Sequence, residues 1–291
     1  MNKARQGRSQ AEPFRGKSHT LMPQRKRKSV AAYHDRVAHR YDDVYDDLFW
    51  RWHDALTWDY LKPFLPRDQS GTVIDLGCGT GKWGLRIARS GYSVTCVDIS
   101  TKMLDTVERK AGELGLEDRV NCVHADLMDL KTLPDAGFEL AVAFGEPLSS
   151  TERPLKALGE IHKIIKSDGL LVATIDNRLN SLDFFLENSD IDGLARFIKD
   201  GRTHWLTKDE DERFELQTFS PEQTKSLLQK TGFELVELLG KTVLPMRKFR
   251  ELLEDRARFQ QLLTIEKKLS RKPDAIGRAP HTQFVARKAS P

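Results

Sequence analysis

The chain has 291 residues, 39% hydrophobic and 31% charged, which suits one enlarged α/β domain or a domain with a small cap. No apolar run reaches the ~18–20 residues that cross a bilayer, and no short apolar segment near the start reads as a secretory signal. Three cysteines (Cys78, Cys96 and Cys122) without Cys-x-x-Cys spacing exclude a disulfide framework and point to a reducing, cytoplasmic setting. The eight histidines lack metal-ligand spacing, so no metal site is expected.

The net charge of +4 is unevenly spread. Residues 1–29 carry Lys3, Arg5, Arg8, Arg15, Lys17 and the run Arg25-Lys26-Arg27-Lys28 against the single acid Glu12. This leader is expected to be disordered. It reads as a solvated tail, with a nucleic-acid tether or targeting peptide as the alternatives. From Ser29 to Leu65, Val30, Tyr33, Val37, Tyr41, Val44, Tyr45 and Leu48 recur at helical spacing. A second helix is expected over Trp50–Leu61, ending before Pro63. Segment 30–66 is therefore expected to be helical.

Next come a strand at Thr72–Leu76, a glycine-rich loop, a helix over Lys82–Arg89 and a strand at Ser93–Asp98. Ser100 reads as the N-cap of a helix that runs to Leu114 and stops at Gly115. Strands follow at Val120–His124 and Phe138–Phe144, then a helix over Leu155–Ile165, a turn at Lys166–Gly169 and a strand at Leu170–Ile175. This alternation predicts a doubly wound sheet, and the near-continuous apolar strands predict helices on both faces. The core is assigned to residues 67–177. Residues 178–218 break the alternation and read as a cap or insertion. Ser220-Pro221 starts another helix, with Gln223 placed for a capping box. A strand at Phe233–Leu239, a charged helix over Met246–Leu269 and a strand at Thr282–Ala286 complete segment 219–291.

The strongest local signal is Val73-Ile74-Asp75-Leu76-Gly77-Cys78-Gly79-Thr80-Gly81, a glycine loop between the first strand and a helix N-terminus. Asp75, two residues before the first glycine, suits a ligand bearing an ammonium and a sulfonium rather than a pyrophosphate. Lys82 occupies the place of a dinucleotide fingerprint's last glycine. Asp98, about twenty residues on, is placed for a ribose diol.

This stretch resembles motif I of class I S-adenosylmethionine (SAM)-dependent methyltransferases. Val97-Asp98-Ile99-Ser100-x-x-Met103-Leu104, Ala125-Asp126-Leu127-x-x-Leu130, Asp168-Gly169-Leu170-Leu171 and Phe219-Ser220-Pro221 with Thr231-Gly232-Phe233 resemble later motifs. The second-strand motif resembles that of the ubiquinone/menaquinone-biosynthesis-like and other small-molecule methyltransferases. The likeness spans residues 30–178 and 218–240. It implies a Rossmann-like, mostly parallel seven-stranded sheet with N-terminal helices as a lid and a cap-like insertion, an enzyme that uses SAM and releases S-adenosylhomocysteine. By position, Gly77, Cys78, Gly79 and Gly81 would underlie the methionine part. Asp75 would face its amino group and Asp98 the ribose. Ile99, Met103, Ala125, Asp126 and Leu127 would surround adenine, and Tyr41 would close over the cofactor.

Methyl transfer from a sulfonium needs alignment and exclusion of water, and a base only if the nucleophile arrives protonated. Phe144-Gly145-Glu146-Pro147-Leu148 departs from the Asn-Pro-Pro-Tyr motif of amino-methylating enzymes, and places Glu146 at the reacting end. Tyr41 and His39 are the other candidates for catalysis; Asp176, Asn177, His204 and Trp205 are the candidates for acceptor contact. The expected partner is a small-molecule acceptor. An RNA or protein acceptor, with the basic leader as tether, is the alternative. A non-catalytic SAM-binding protein and an NAD-dependent oxidoreductase are further readings. The oligomeric state is left open, with a homodimer among the options.

Overall fold

The computed structural model describes residues 30–204 and 214–289. The basic leader and Trp205 lie outside the described residues.

Two helices come first, α1 (Val30–Val37) and α2 (Leu48–Leu61), joined by 3-10 turns. Asp47 caps α2 by accepting from Trp50 N, so the helix begins two residues earlier than its periodicity suggests. Then follow β1 (Thr72–Leu76), α3 (Lys82–Arg89), β2 (Ser93–Asp98), α4 (Thr101–Leu114), β3 (Val120–His124), β4 (Phe138–Ala143), the short α5 (Pro147–Ser150), α6 (Pro154–Ile164) and β5 (Ile165–Asp176). The expected turn at 166–169 is a bulge within β5: pairing jumps from Phe138↔Ile165 to Leu140↔Leu170, and Asp168 takes φ +60°.

The insertion forms α7 (Leu182–Glu187), α8 (Ile191–Asp200) and a small ribbon of β6 (Arg202–His204) with β7 (Glu215–Gln217). The chain returns through α9 (Pro221–Lys230), which carries the full Ser220/Gln223 capping box, to β8 (Phe233–Lys241). The charged helix expected from Met246 begins only at α10 (Arg256–Leu269), where Asp255 accepts from Arg258 N. Met246 is instead a core residue, 3% exposed, against Phe49, Trp52 and Leu263. A short α11 (Pro273–Ile276) precedes β9 (His281–Lys288).

The main sheet has seven strands in the order β3-β2-β1-β4-β5-β9-β8, with β9 antiparallel to both neighbours. Alternate residues feed cores on opposite faces. Ile74, Ala141 and Ala173 meet Leu158 and Ile161 of α6, while Val73, Val142 and Val172 meet Leu85 and Ile87 of α3 and Val107 of α4. A third core joins α2 to α10. The link is reinforced by a hydrogen bond from the Tyr60 hydroxyl to Ser270 Oγ (2.9 Å) and by a Lys267–Asp59 ion pair. Among the described residues no helix is long and apolar enough to cross a membrane.

Candidate active site

The β1–α3 loop is stitched to the end of β2. Gly77 N and Cys78 N both donate to Val97 O (2.8 and 3.0 Å), and Gly79 N donates to Asp98 Oδ2 (2.8 Å). Asp98 Oδ1 accepts from Ser100 N (2.9 Å). Burial pushes the Asp98 carboxyl up, against the donation from Ser100 and Gly79. Each carboxylate oxygen has a second lone pair, so Asp98 can still accept from a diol.

These residues edge a cavity of about 1690 Å³ at the carboxyl ends of the parallel strands. That exceeds the roughly 300–1,000 Å³ of a pocket for one small ligand, and leaves room for a cofactor and an acceptor together. Gly77, Cys78, Gly79, Asp98, Ile99, Ala125, Asp126 and Leu127 line one end. Tyr41, Glu146, Asp176 and His204 also face the space.

Other expected positions lie elsewhere. Asp75 is 1% exposed beneath the loop, where Oδ2 accepts from Gly84 N (2.8 Å). Its carboxyl is pushed up to about 7 by burial, with the charge of Asp98 adding. Gly81 starts α3 off the cavity wall. Met103 is fully buried under Val37 and Ala38 of the α1 region. Asn177 is a structural tie whose Nδ2 donates to Ile276 O and Ala279 O (both 2.8 Å). His39 is exposed and outside the cavity, because the stripe of the N-terminal helix turns Val37 and Ala38 inward.

The N-terminal segment is latched over the glycine-loop end. Ser100 Oγ donates to Asp35 Oδ1 (2.6 Å) and Thr80 Oγ1 donates to Asp42 Oδ1 (2.6 Å). Tyr33 and His34 of α1 meet Phe214 across the cavity rim, with ring centroids 5.1 and 6.0 Å apart. The Tyr41 and Tyr45 hydroxyls share a 3.3 Å hydrogen bond, and burial raises the Tyr41 phenol well above its usual range.

The far end holds residues that local sequence did not mark. Phe144, Trp83, Tyr45, Phe49 and Trp50 wall it. Glu146 sits in the left-handed region (φ +58°) just after β4; Gly145 N and Glu146 N both donate to Thr174 Oγ1. Asp176 ends β5, His281 starts β9 and Lys241 ends β8. His53 and Asp54 reach in from α2, and Asp54 pairs with Lys82 (2.9 Å). Burial, then the neighbouring Glu146, pushes the Asp176 carboxyl up to about 8. Burial lowers Lys241 to about 8, and burial followed by Lys241 lowers His53 to about 3.

A Rossmann-like sheet with its last strand reversed, a glycine loop clasped by a second-strand aspartate and an N-terminal segment over both resemble the fold and loop of class I SAM-dependent methyltransferases, whose cofactor is S-adenosylmethionine. Residues 73–169 match the family described as a methyltransferase domain. A demethylmenaquinone methyltransferase of Clavibacter sepedonicus is 32% identical over 49% of this chain and 56% of its own length. A tRNA 5-carboxymethoxyuridine methyltransferase of Escherichia coli is 21% identical over 87% of this chain and 95% of its own. A putative S-adenosylmethionine-dependent methyltransferase structure from Listeria monocytogenes superposes with a TM-score of 0.58 at 19% identity, covering 81% of this chain and 98% of that one. The chain spans a little over half the length of the first curated relatives it matches.

The donor set fits this cofactor. A Cβ built on Gly79 (φ +53°) would meet only Tyr41 Cε1, at 3.9 Å, so it would enter the open space between loop and lid. Gly79, Asp98 and Ile99 would hold the methionine and ribose parts, and Asp126 with Leu127 the adenine.

Proposed function

We propose that the protein is a SAM-dependent methyltransferase acting on a small-molecule acceptor. The observation that carries this reading is the single cavity with two chemically distinct ends. One is the glycine loop with Asp98, and the other is an aromatic chamber holding Glu146, Asp176, His281 and Lys241. When bound, SAM supplies an electrophilic methyl group on a sulfonium. The chain's own contribution is alignment and exclusion of water. Asp98 and the loop fix the cofactor end, and Tyr41 and Tyr45 close the top. The rings of Phe144, Trp83 and Trp50 give a planar acceptor flat apolar surfaces. The demethylmenaquinone methyltransferase, named for a ring acceptor, supports this choice. The tRNA-modifying relative, which aligns over more of the chain, gives the second reading, a nucleoside within RNA.

The test is to incubate the protein with methyl-deuterated SAM and either a small-molecule extract or total tRNA, and to follow S-adenosylhomocysteine and labelled product by mass spectrometry. Label in the small-molecule fraction is expected. Label confined to tRNA would replace this reading with the second, and S-adenosylhomocysteine formation in neither fraction would refute both.

A further inference from the structure

At the end of the chamber away from Asp98, three strands bring ionisable side chains into one row. Asp176 of β5 pairs in register with His281 of β9, and His281 pairs with Lys241 of β8. His281 Nε2 lies 3.8 Å from Asp176 Oδ1 and 3.9 Å from Glu146 Oε2. All four residues line the cavity. Lys241 is 2% exposed, and no hydrogen bond or ion pair to another described residue holds its ammonium; Nζ lies 5.7 Å from the Phe144 ring, and the Glu146 and Asp54 carboxylates attract it only at longer range. A buried ammonium with no carboxylate within ion-pair distance is costly, and the cost is relieved by an anion arriving in the cavity.

The two histidines differ in what could follow protonation. His53 Nδ1 is 3.5 Å from Asp54, but that carboxylate already pairs with Lys82, and Lys241 opposes any charge on the ring. His281 is lowered first by burial, and the Glu146 carboxylate favours its imidazolium against the charges of Lys241 and Arg247; the Asp176 carboxyl, 3.8 Å away, is itself pushed up to about 8. The carboxyl groups lie beside Nε2 itself, so their support of a protonated ring acts through space at nearly 4 Å.

We propose that His281 and Lys241 form an acceptor-activating pair for substrates that bind as an acidic hydroxyl, a phenol or an enol. The hydroxyl O–H bond breaks heterolytically and its proton passes to His281 Nε2. The electron pair stays on the oxygen, which faces Lys241 Nζ. Glu146 stabilises the imidazolium. The inference rests on the methyltransferase reading, since it assigns the chamber to the methyl acceptor.

The test uses 4-nitrophenol, whose anion is coloured, added to protein saturated with S-adenosylhomocysteine at a pH where the free phenol is protonated. The bound probe is expected to become the coloured anion, its apparent acid constant raised about tenfold or more, one pKa unit. Lys241→Met should abolish the colour without changing S-adenosylhomocysteine affinity. In the same samples, the imidazole titration of His281 followed by NMR should move up in Lys241→Met, which removes a cation, and down in Glu146→Gln, which removes an anion. A probe that stays colourless with the wild type, or is equally coloured with Lys241→Met, overturns the pair. So does a His281 midpoint that neither substitution moves. Loss of S-adenosylhomocysteine binding by the wild type would instead mark failure of the methyltransferase reading.

Discussion

Gly79→Ala separates the cost of backbone strain from the cost of blocking the cofactor. Gly79 holds φ +53° and Gly115, the C-cap of α4, holds φ +64°. A Cβ in the left-handed region costs about 1–2 kcal/mol at either position. Neither new Cβ meets a close neighbour: Tyr41 Cε1 at 3.9 Å is the contact at Gly79, and nothing lies within 4 Å at Gly115. The two alanine variants should therefore lose the same stability. For a chain of this size, that lowers Tm by roughly 2–8 °C. Their ligand binding should differ. The Gly79 methyl projects into the cavity. Calorimetric titration with S-adenosylhomocysteine should show a loss of more than about tenfold, or about 1.4 kcal/mol, for Gly79→Ala alone. Equal affinity for both variants and the wild type would refute the placement of the cofactor against this loop.

Three further outcomes follow from buried and bridging carboxylates. Asp75 is raised to about 7 from 3.8 mainly by burial, so the folded state holds a proton that the unfolded state has released across that interval. The contribution is complete below the unfolded value and is lost as pH rises through about 7. Asp75→Asn should therefore flatten the fall in urea midpoint over this window, an effect on the order of 4 kcal/mol for three pKa units. Glu266 is fully buried and accepts from Val243 N (2.6 Å) and Leu244 N (2.9 Å), in the loop just after Lys241. Glu266→Ala leaves one buried and one half-buried donor unpaired and should cost roughly 2–4 kcal/mol in equilibrium unfolding. Asp42, exposed at the lid, accepts from Thr80 and pairs with Lys110. Asp42→Ala should leave stability within about 1 kcal/mol of wild type. In stopped-flow measurements it should speed S-adenosylhomocysteine release roughly fivefold, about 1 kcal/mol of latch energy.

Sequence made the glycine-loop half legible because its signals are local. The run from Thr72 to Asp98, the Ser100 cap and the Ser220/Gln223 capping box are each settled by residues a few positions apart. Asp75 and Met103 illustrate the limit of that reading. Both stand where the motif places them, but the tertiary path turns them under the loop and lid rather than into the cavity. The far chamber could not be read the same way. Lys241 and His281 are forty residues apart in ordinary strand ends, and only the reversed β9 sets them beside Asp176. The structure starts α10 after the Asp255 cap, whereas Met246 and the following charged residues extended the apparent periodicity across a segment of turns.

Calorimetric titration of S-adenosylhomocysteine into wild type and Asp98→Ala, with folding of both checked by circular dichroism, tests the central claim most directly. Asp98 ties the glycine loop to β2 and faces the cavity, so the wild type should bind and the variant should lose more than about tenfold in affinity. A folded wild type that does not bind, or a variant that binds equally well, would contradict the assignment of this cavity to the cofactor.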